Sequence, residues 1–195
     1  MAQLYFYYGA MQSSKSANLL MVAHNYRSQD KKVILMTPSI DDRSGVGVIS
    51  SRAGMEEKAT PLGPEENVYS ALKSELIDLN GKRKNIHCIL VDEAQFLTEE
   101  QIKSLSNIVD SFNIPVMCYG LKNDFQNNLF EGSETLLLYA DKIIEIKTIC
   151  AKEECGKKAI MNLRLSDGKP VYEGNQIQIG DEEYLPVCRN HYFDY

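Results

Sequence analysis

Short apolar runs alternate with amphipathic runs over the first three quarters of the chain. Runs rich in β-branched and aromatic residues predict buried strands, and apolar residues at helical spacing predict the helices between them. The predicted strands are Leu4–Tyr8, Val33–Thr37, His87–Val91, Pro115–Tyr119 and Lys142–Ile146; the predicted helices are Ser16–Arg27, Asn67–Leu79 and Thr98–Val109. The last of these begins with a capping box, Thr98 to Gln101. This alternation predicts an α/β fold whose parallel sheet is covered on both faces.

The pattern changes after Lys147. The remaining chain holds three of the five cysteines, a Gly/Asp/Asn-rich middle and no convincing helix. We therefore place a boundary near residue 148, which gives one domain at 1–147 and a small lobe at 148–195. A second irregular stretch, Ser44–Pro64, contains four glycines and two prolines, and we expect it to be a flexible loop with a functional role.

Charge narrows the classes of partner. The chain has 21 Lys plus Arg against 27 Asp plus Glu, a net charge of −6, which argues against general binding to nucleic acid or to acidic membranes. The first residues lack the basic region of a secretory signal, and no apolar run approaches the ~20 residues needed to span a bilayer. We expect a cytoplasmic protein, in which an odd number of cysteines disfavours a disulfide framework.

The first strand leads directly into a loop typical of phosphate binding. Its residues are Gly9, Ala10, Met11, Gln12, Ser13, Ser14, Lys15 and Ser16. They resemble the Walker A pattern, with Ser14 in place of the second glycine, and predict a P-loop NTPase-like fold. An ordinary strand-to-helix turn is the alternative, but Lys15 at a helix start opposes the helix dipole unless an anion is present. Lys15 would reach the outer phosphates and Ser16 would bind Mg²⁺.

Two carboxylates follow the third predicted strand. Asp92 and Glu93 stand at its C-terminal end, where active sites of open α/β sheets lie. Beside a phosphate loop, Asp92 suits the role of holding Mg²⁺ and Glu93 that of taking a proton from an attacking hydroxyl. The alternative is a solvated strand end that carries two acids.

The lobe contains residue types that bind zinc. Cys150 and Cys155 form one pair, and Cys188 and His191 form another. Four such ligands suit tetrahedral Zn²⁺ and leave no open position, so the site would be structural; one disulfide or buried thiols are the alternatives. Outside this set, Cys88 and Cys118 lie in predicted strands as core residues, and His24 and His87 are expected to be structural or exposed.

These features, in this order and across the whole chain, resemble the type II thymidine kinase family. The matching segments are Tyr7–Met11 with Lys15-Ser16, Asp41–Arg43, Val91–Phe96, Tyr119–Phe125, Ile179-Gly180, Tyr184 and Val187–Arg189. The resemblance implies a P-loop domain with a zinc-binding lobe that carries a substrate-covering lasso. It further implies transfer of the γ-phosphoryl group of Mg-ATP to the 5′-hydroxyl of thymidine, a homotetramer, and feedback inhibition by thymidine triphosphate.

The resemblance also assigns roles to residues. Glu93 would be the general base, Arg43 would neutralise phosphate charge, and Gln95 would belong to the ATP site with Asp92 and the loop 9–16. Thymine would be enclosed by Met11, Phe96, Leu121, Phe125, Ile179 and Tyr184.

Three departures from the family pattern bear on these roles. Ser14 replaces a glycine, which puts ATP affinity in question. The Cys150–Cys155 spacing is wider than usual, and the lasso is one residue shorter.

Two other classes of protein are alternatives to the kinase: a regulatory nucleotide-binding module, in which Glu93 would have no chemical role, and a zinc-ribbon nucleic-acid ATPase. The ATPase fits poorly, because the lobe contains six basic and eight acidic residues and so has no excess of positive charge for binding nucleic acid.

Overall fold

Strands and helices alternate through most of the chain. The computed structural model describes residues 1–176 and 183–195. Its strands are β1 Leu4–Tyr8, β2 Val33–Pro38, β3 Val48–Ser50, β4 Glu56–Lys58, β5 Thr60–Leu62, β6 Cys88–Val91, β7 Val116–Gly120, β8 Lys142–Glu145, β9 Thr148–Ile149, β10 Lys158–Ala159, β11 Met161–Ser166, β12 Lys169–Val171 and β13 Glu183–Val187. Its helices are α1 Lys15–Arg27, α2 Val68–Leu76, α3 Glu99–Phe112, α4 Glu131–Tyr139 and α5 Arg189–Phe193.

A six-stranded parallel sheet forms the centre, in the order β5-β2-β6-β7-β1-β8. Side chains of neighbouring strand positions point to opposite faces. On one face Phe6 and Ile89 join the core formed with α2, α3 and α4, whereas on the other Leu90 and Tyr119 pack with α1. The predicted parallel sheet covered on both faces is confirmed.

The stretch 44–64 contains three short strands and is not an irregular loop, whereas its predicted flexibility and functional role stay predictions. β3 and β4 pair as an antiparallel hairpin, Ile49 is buried against α1, and β5 extends the central sheet beside β2. Each of these strands has only three residues, which is too short to show periodicity. Gly47 permits the close approach, because it has a φ of +73° and a Cβ there would lie 2.9 Å from the Ala59 carbonyl oxygen.

The helices differ from the predictions mainly at their ends. The capping box is confirmed, with Thr98 accepting from the Gln101 N–H and Gln101 accepting from the Thr98 N–H. Helix α4 was not predicted, because its first residues, Glu-Gly-Ser-Glu, show no apolar stripe. Gly132 in this helix packs tightly: a Cβ would lie 2.5 Å from the Ala94 carbonyl oxygen. None of the helices among the described residues is long and apolar enough to cross a membrane.

The last part of the chain forms smaller sheets. β9 and β10 pair antiparallel, and β12, β11 and β13 form a three-stranded antiparallel sheet. Leu163, Leu165 and Tyr192 pack in a separate core around Cys150 and Cys188. The expectation of no helix after residue 147 is wrong, since α5 contains five residues; so short a helix leaves no periodic signal. The domain boundary at 148 stays a prediction.

Candidate active site and metal cluster

The loop between β1 and α1 depends on unusual backbone conformations. Gly9 leaves no room for a side chain, because a Cβ would lie 2.4 Å from both the Ile146 carbonyl oxygen and the Ser13 hydroxyl. Gln12 and Ser14 take left-handed φ angles of 59° and 60°, which glycine adopts more readily than other residues. The chain therefore makes a tight loop directly before the N-terminus of α1, a position that favours anions.

Lys15 turns back over this loop. Its Nζ donates to the carbonyl oxygens of Ala10, at 2.9 Å, and Gly9, at 3.3 Å, and the side chain is buried. Burial lowers the pKa of Lys15, and the negative charges of Glu93 and Asp92 oppose this effect. The structure thus brings the lysine of the loop and the two acids after β6 into one electrostatic group.

Asp92 faces the start of α1. It is buried, and the Ser16 hydroxyl is close enough to stabilise its charged form. Burial and the neighbouring Glu93 raise the pKa of Asp92 to about 7, a shift that the Ser16 hydroxyl and the charge of Lys15 reduce. A hydroxyl beside a carboxylate is a donor set suited to Mg²⁺, so these two residues could hold that ion.

Glu93 is held by a cation and an amide. It adopts a left-handed φ of 46°, a conformation that costs a non-glycine residue on the order of 1 kcal/mol and is typical of functional sites. An Arg43 guanidinium nitrogen lies 2.6 Å from Glu93 Oε1, and Gln95 donates to Oε2. Burial alone would raise the pKa of Glu93, but the charges of Arg43 and Lys15 outweigh it and keep that pKa below the usual glutamate value.

Gln95 connects Glu93 to the segment after β7. Its Nε2 donates to Glu93, and its Oε1 accepts from the Leu121 N–H at 3.0 Å. Gly120 makes this possible, since a Cβ there would lie 2.6 Å from Gln95 Oε1. The buried amide therefore fixes the carboxylate relative to the 121–125 segment.

Two of the predicted base-binding residues, Leu121 and Phe125, lie in this segment. Leu121 and Phe125 are buried, and Phe96 packs edge-on against Phe130, with ring centroids 5.7 Å apart. The half-buried Tyr184 approaches the phosphate loop, because Gln12 Nε2 donates to its carbonyl oxygen at 3.3 Å. The last predicted residue of this set, Ile179, lies outside the described residues.

Three thiols and one imidazole meet in the small core. The ligand atoms of Cys150, Cys155, Cys188 and His191 all lie within 4.8 Å of one another. His191 Nδ1 is 3.4 Å from Cys150 Sγ and 3.5 Å from Cys188 Sγ, and the Sγ atoms of Cys155 and Cys188 are 4.0 Å apart. A tetrahedral ion about 2.3 Å from each sulfur fits this arrangement and these ligand types, which are those of structural zinc.

The wide cysteine spacing is accommodated by the β9–β10 turn. The Cys150 N–H donates to the Lys157 carbonyl oxygen and the Cys155 N–H to that of Lys152, while Glu154 takes a left-handed φ of 58°. The other two cysteines, Cys88 and Cys118, are buried in the central sheet as predicted, and burial raises the pKa of Cys88 to about 12.

Comparison with known proteins decides the family. A sequence model described as "Thymidine kinase" matches residues 2–192. Curated relatives named thymidine kinase include those of Lactobacillus acidophilus, 56% identical over 99% of this chain and 97% of the relative, and Lactiplantibacillus plantarum, 55% identical over 99% and 96%. The thymidine kinase of Streptococcus pyogenes is 52% identical over 100% and 98%. The chain belongs to the thymidine kinase family.

Several polar residues of this thymidine kinase family member have contacts for which the sequence predicted no role. Asn162 binds both the phosphate loop and the segment after β7, and Asp41 binds the Arg43 guanidinium at 2.6 Å. Asp124 accepts from two main-chain N–H groups and from Gln176. The alternation of Asn162 and Arg164 with leucines in β11 was the available signal, because it is typical of a strand with two different faces.

Proposed function

We propose that the protein transfers the γ-phosphoryl group of ATP to the 5′-hydroxyl of thymidine. One observation carries the proposal. Glu93 interacts through its charge with Lys15 of the phosphate loop, and Gln95 connects it by hydrogen bonds to the segment that begins at Leu121. Phosphoryl transfer needs positioning and charge neutralisation more than covalent chemistry, and this arrangement offers both. Enzymatic kinase activity also follows from the family.

The phosphate side of the site is proposed as follows. Main-chain N–H groups of the loop 9–16 and the N-terminus of α1 bind the phosphate oxygens. Lys15 moves from the loop carbonyls to the outer phosphates, which are stronger acceptors. Ser16 and Asp92 would hold the Mg²⁺, which neutralises phosphate charge when bound.

Arg43 and Glu93 are proposed to separate when the substrates bind. The Arg43 side chain is 55% exposed and can turn toward the phosphates, whose negative charge competes with Glu93 for the guanidinium group. Glu93 Oε1 then becomes available to accept the proton of the thymidine hydroxyl. Gln95 and Asp92 keep their places, since both are buried.

The acceptor is proposed to bind beside the 121–125 segment. Leu121 and Phe125, which are buried, and Phe96 supply apolar side chains, and a nucleoside base suits an apolar slot with a few polar contacts. Met11, Tyr184 and Ile179 are proposed to complete the enclosure.

Further properties are proposed from the family resemblance. Zn²⁺ at Cys150, Cys155, Cys188 and His191 would stabilise a lobe at 148–195, distinct from a domain at 1–147. A homotetramer, feedback inhibition by thymidine triphosphate and a cytoplasmic location are part of the same proposal.

A comparison of acceptors tests the proposed function. Mg-ATP is supplied with thymidine, deoxycytidine, deoxyadenosine and deoxyguanosine separately, and the monophosphates are quantified. We expect thymidine monophosphate to be the main product. A protein that binds ATP but phosphorylates none of the four is instead the regulatory nucleotide-binding module.

Substitutions at Ser14 test the loop conformation. Glycine readily adopts the left-handed φ that Ser14 already has, so Ser14→Gly should keep the loop conformation and change the KM for ATP by less than about threefold. A β-branched residue is much less suited to a positive φ, so Ser14→Val should raise that KM roughly 5- to 30-fold, equivalent to about 1–2 kcal/mol. Steady-state kinetics in ATP checks both values, and equal effects of the two variants would contradict the conformational explanation.

A further inference from the structure

Strand β11 presents two chemically different faces. Leu163 and Leu165 belong to the small core with the cysteines. Asn162 and Arg164 point the other way, where Asn162 bonds to residues before α1 and after β7 and the Arg164 guanidinium lies 4.7 Å from the centre of the Phe125 ring. Both polar residues are buried, at 3% and 4% exposure. The strand therefore connects the metal cluster side to the active-site side.

The carboxamide of Asn162 joins the two substrate segments. Its Oδ1 accepts from the Met11 N–H of the phosphate loop at 2.7 Å, and its Nδ2 donates to the Asn123 carbonyl oxygen at 3.0 Å. Met11 and Asn123 are far apart in sequence, and each bond has good length for its type. A single buried side chain thus ties the loop proposed to bind ATP to the segment proposed to bind the acceptor.

We infer that Asn162 is a positioning residue for phosphoryl transfer, which rests on the proposed function. It sets the distance between the phosphate loop and the 121–125 segment, and thereby the alignment of the acceptor hydroxyl with the γ-phosphorus. Misplacement of reacting groups by about 1 Å can cost about 100-fold in rate. Asn162 acts through main-chain groups of Met11 and Asn123, so its loss should affect alignment more than the binding of either substrate.

Two substitutions test the two hydrogen bonds that Asn162 makes to Met11 and Asn123. Asn162→Ser is too short to span both partners. Asn162→Asp keeps an oxygen for the Met11 N–H but replaces the donor to Asn123 with a second acceptor. Leu163→Val is the matched control, because it removes volume from the same strand on the face toward the cysteines and leaves the carboxamide in place.

The readout compares two reactions of each purified, full-length variant. Thymidine-dependent phosphoryl transfer needs the alignment, whereas thymidine-independent hydrolysis of ATP does not. For both Asn162 variants we expect kcat for transfer to fall about 10- to 100-fold, with KM for ATP and thymidine within about threefold and a much smaller fall, under about threefold, in hydrolysis. Leu163→Val should keep the ratio of transfer to hydrolysis within about twofold.

The outcomes are distinguishable. A fall in the ratio in the Asn162 variants but not in Leu163→Val supports the inference. Near-normal transfer by Asn162→Asp, or parallel losses of both reactions in all three variants, overturns it. Zinc content of each variant shows whether its lobe is folded, and the aspartate variant decides the test if the serine variant does not fold. Absence of thymidine phosphate from the unsubstituted protein would instead refute the proposed function itself.

Discussion

Glu93→Gln is expected to lower the rate of thymidine phosphorylation by about 100- to 10,000-fold, the usual contribution of a general base. Glutamine has nearly the shape of glutamate and can still bond to Gln95, but it cannot accept the proton of the attacking hydroxyl. The affinity for Mg-ATP should stay within about threefold, because Lys15, Ser16 and the loop remain. Single-turnover product formation and equilibrium ATP binding measure the two effects separately.

Glu100→Gln is the control for this substitution. Glu100 lies on α3 with 83% of its side chain exposed and pairs with Lys103 at the surface, where an ion pair is worth little. Its removal should leave turnover unchanged. Near-normal turnover of Glu93→Gln would contradict the assignment of the base, and a large loss of ATP affinity would instead place Glu93 in phosphate binding.

Cys150→Ser is expected to remove the metal and to destabilise the last part of the chain. The unsubstituted protein should contain about one zinc ion per chain and the variant much less, since a hydroxyl is a poor ligand for zinc. Loss of a structural metal belongs to the few changes that cost on the order of 4 kcal/mol or more. Elemental analysis and thermal unfolding measure both quantities.

Loss of the metal in Cys150→Ser should also lower the rate of thymidine phosphorylation. The strands around the cluster carry Asn162 and Tyr184, and both contact the phosphate loop. Thymidine phosphorylation should therefore fall together with zinc content. Cys88→Ala is the matched control, because Cys88 is buried in β6, away from the cluster, and its removal should leave zinc content unchanged. A zinc-free preparation that is folded and active would contradict the structural role.

The elements predicted best are those with long, one-sided patterns. β1 begins and ends where its apolar run does, and the Thr98–Gln101 capping box marks the start of α3. β5 was missed because three residues that include Pro61 carry no strand signal. Its place at the sheet edge comes from pairing with β2, which is a tertiary effect.

The residues of the site also fall into two groups, those indicated by local sequence and those that depend on tertiary contacts. Lys15 and the Asp92-Glu93 pair could be named as candidates from local sequence, and the four residues predicted to bind zinc lie together in the structure. Gln95 was named, but its contact with Leu121 arises only when β6 and β7 lie side by side. Asn162 could not be assigned, because its two partners are distant in sequence and its importance rests on that juxtaposition.

The central claim is that this site moves the γ-phosphoryl group of ATP to thymidine. The most direct measurement supplies ATP labelled in the γ-phosphate, with Mg²⁺ and thymidine, and follows the label. The account predicts that the label appears in thymidine 5′-monophosphate, and that thymidine lacking its 5′-hydroxyl receives none. Label that appears only in inorganic phosphate, or that stays in ATP, would contradict it.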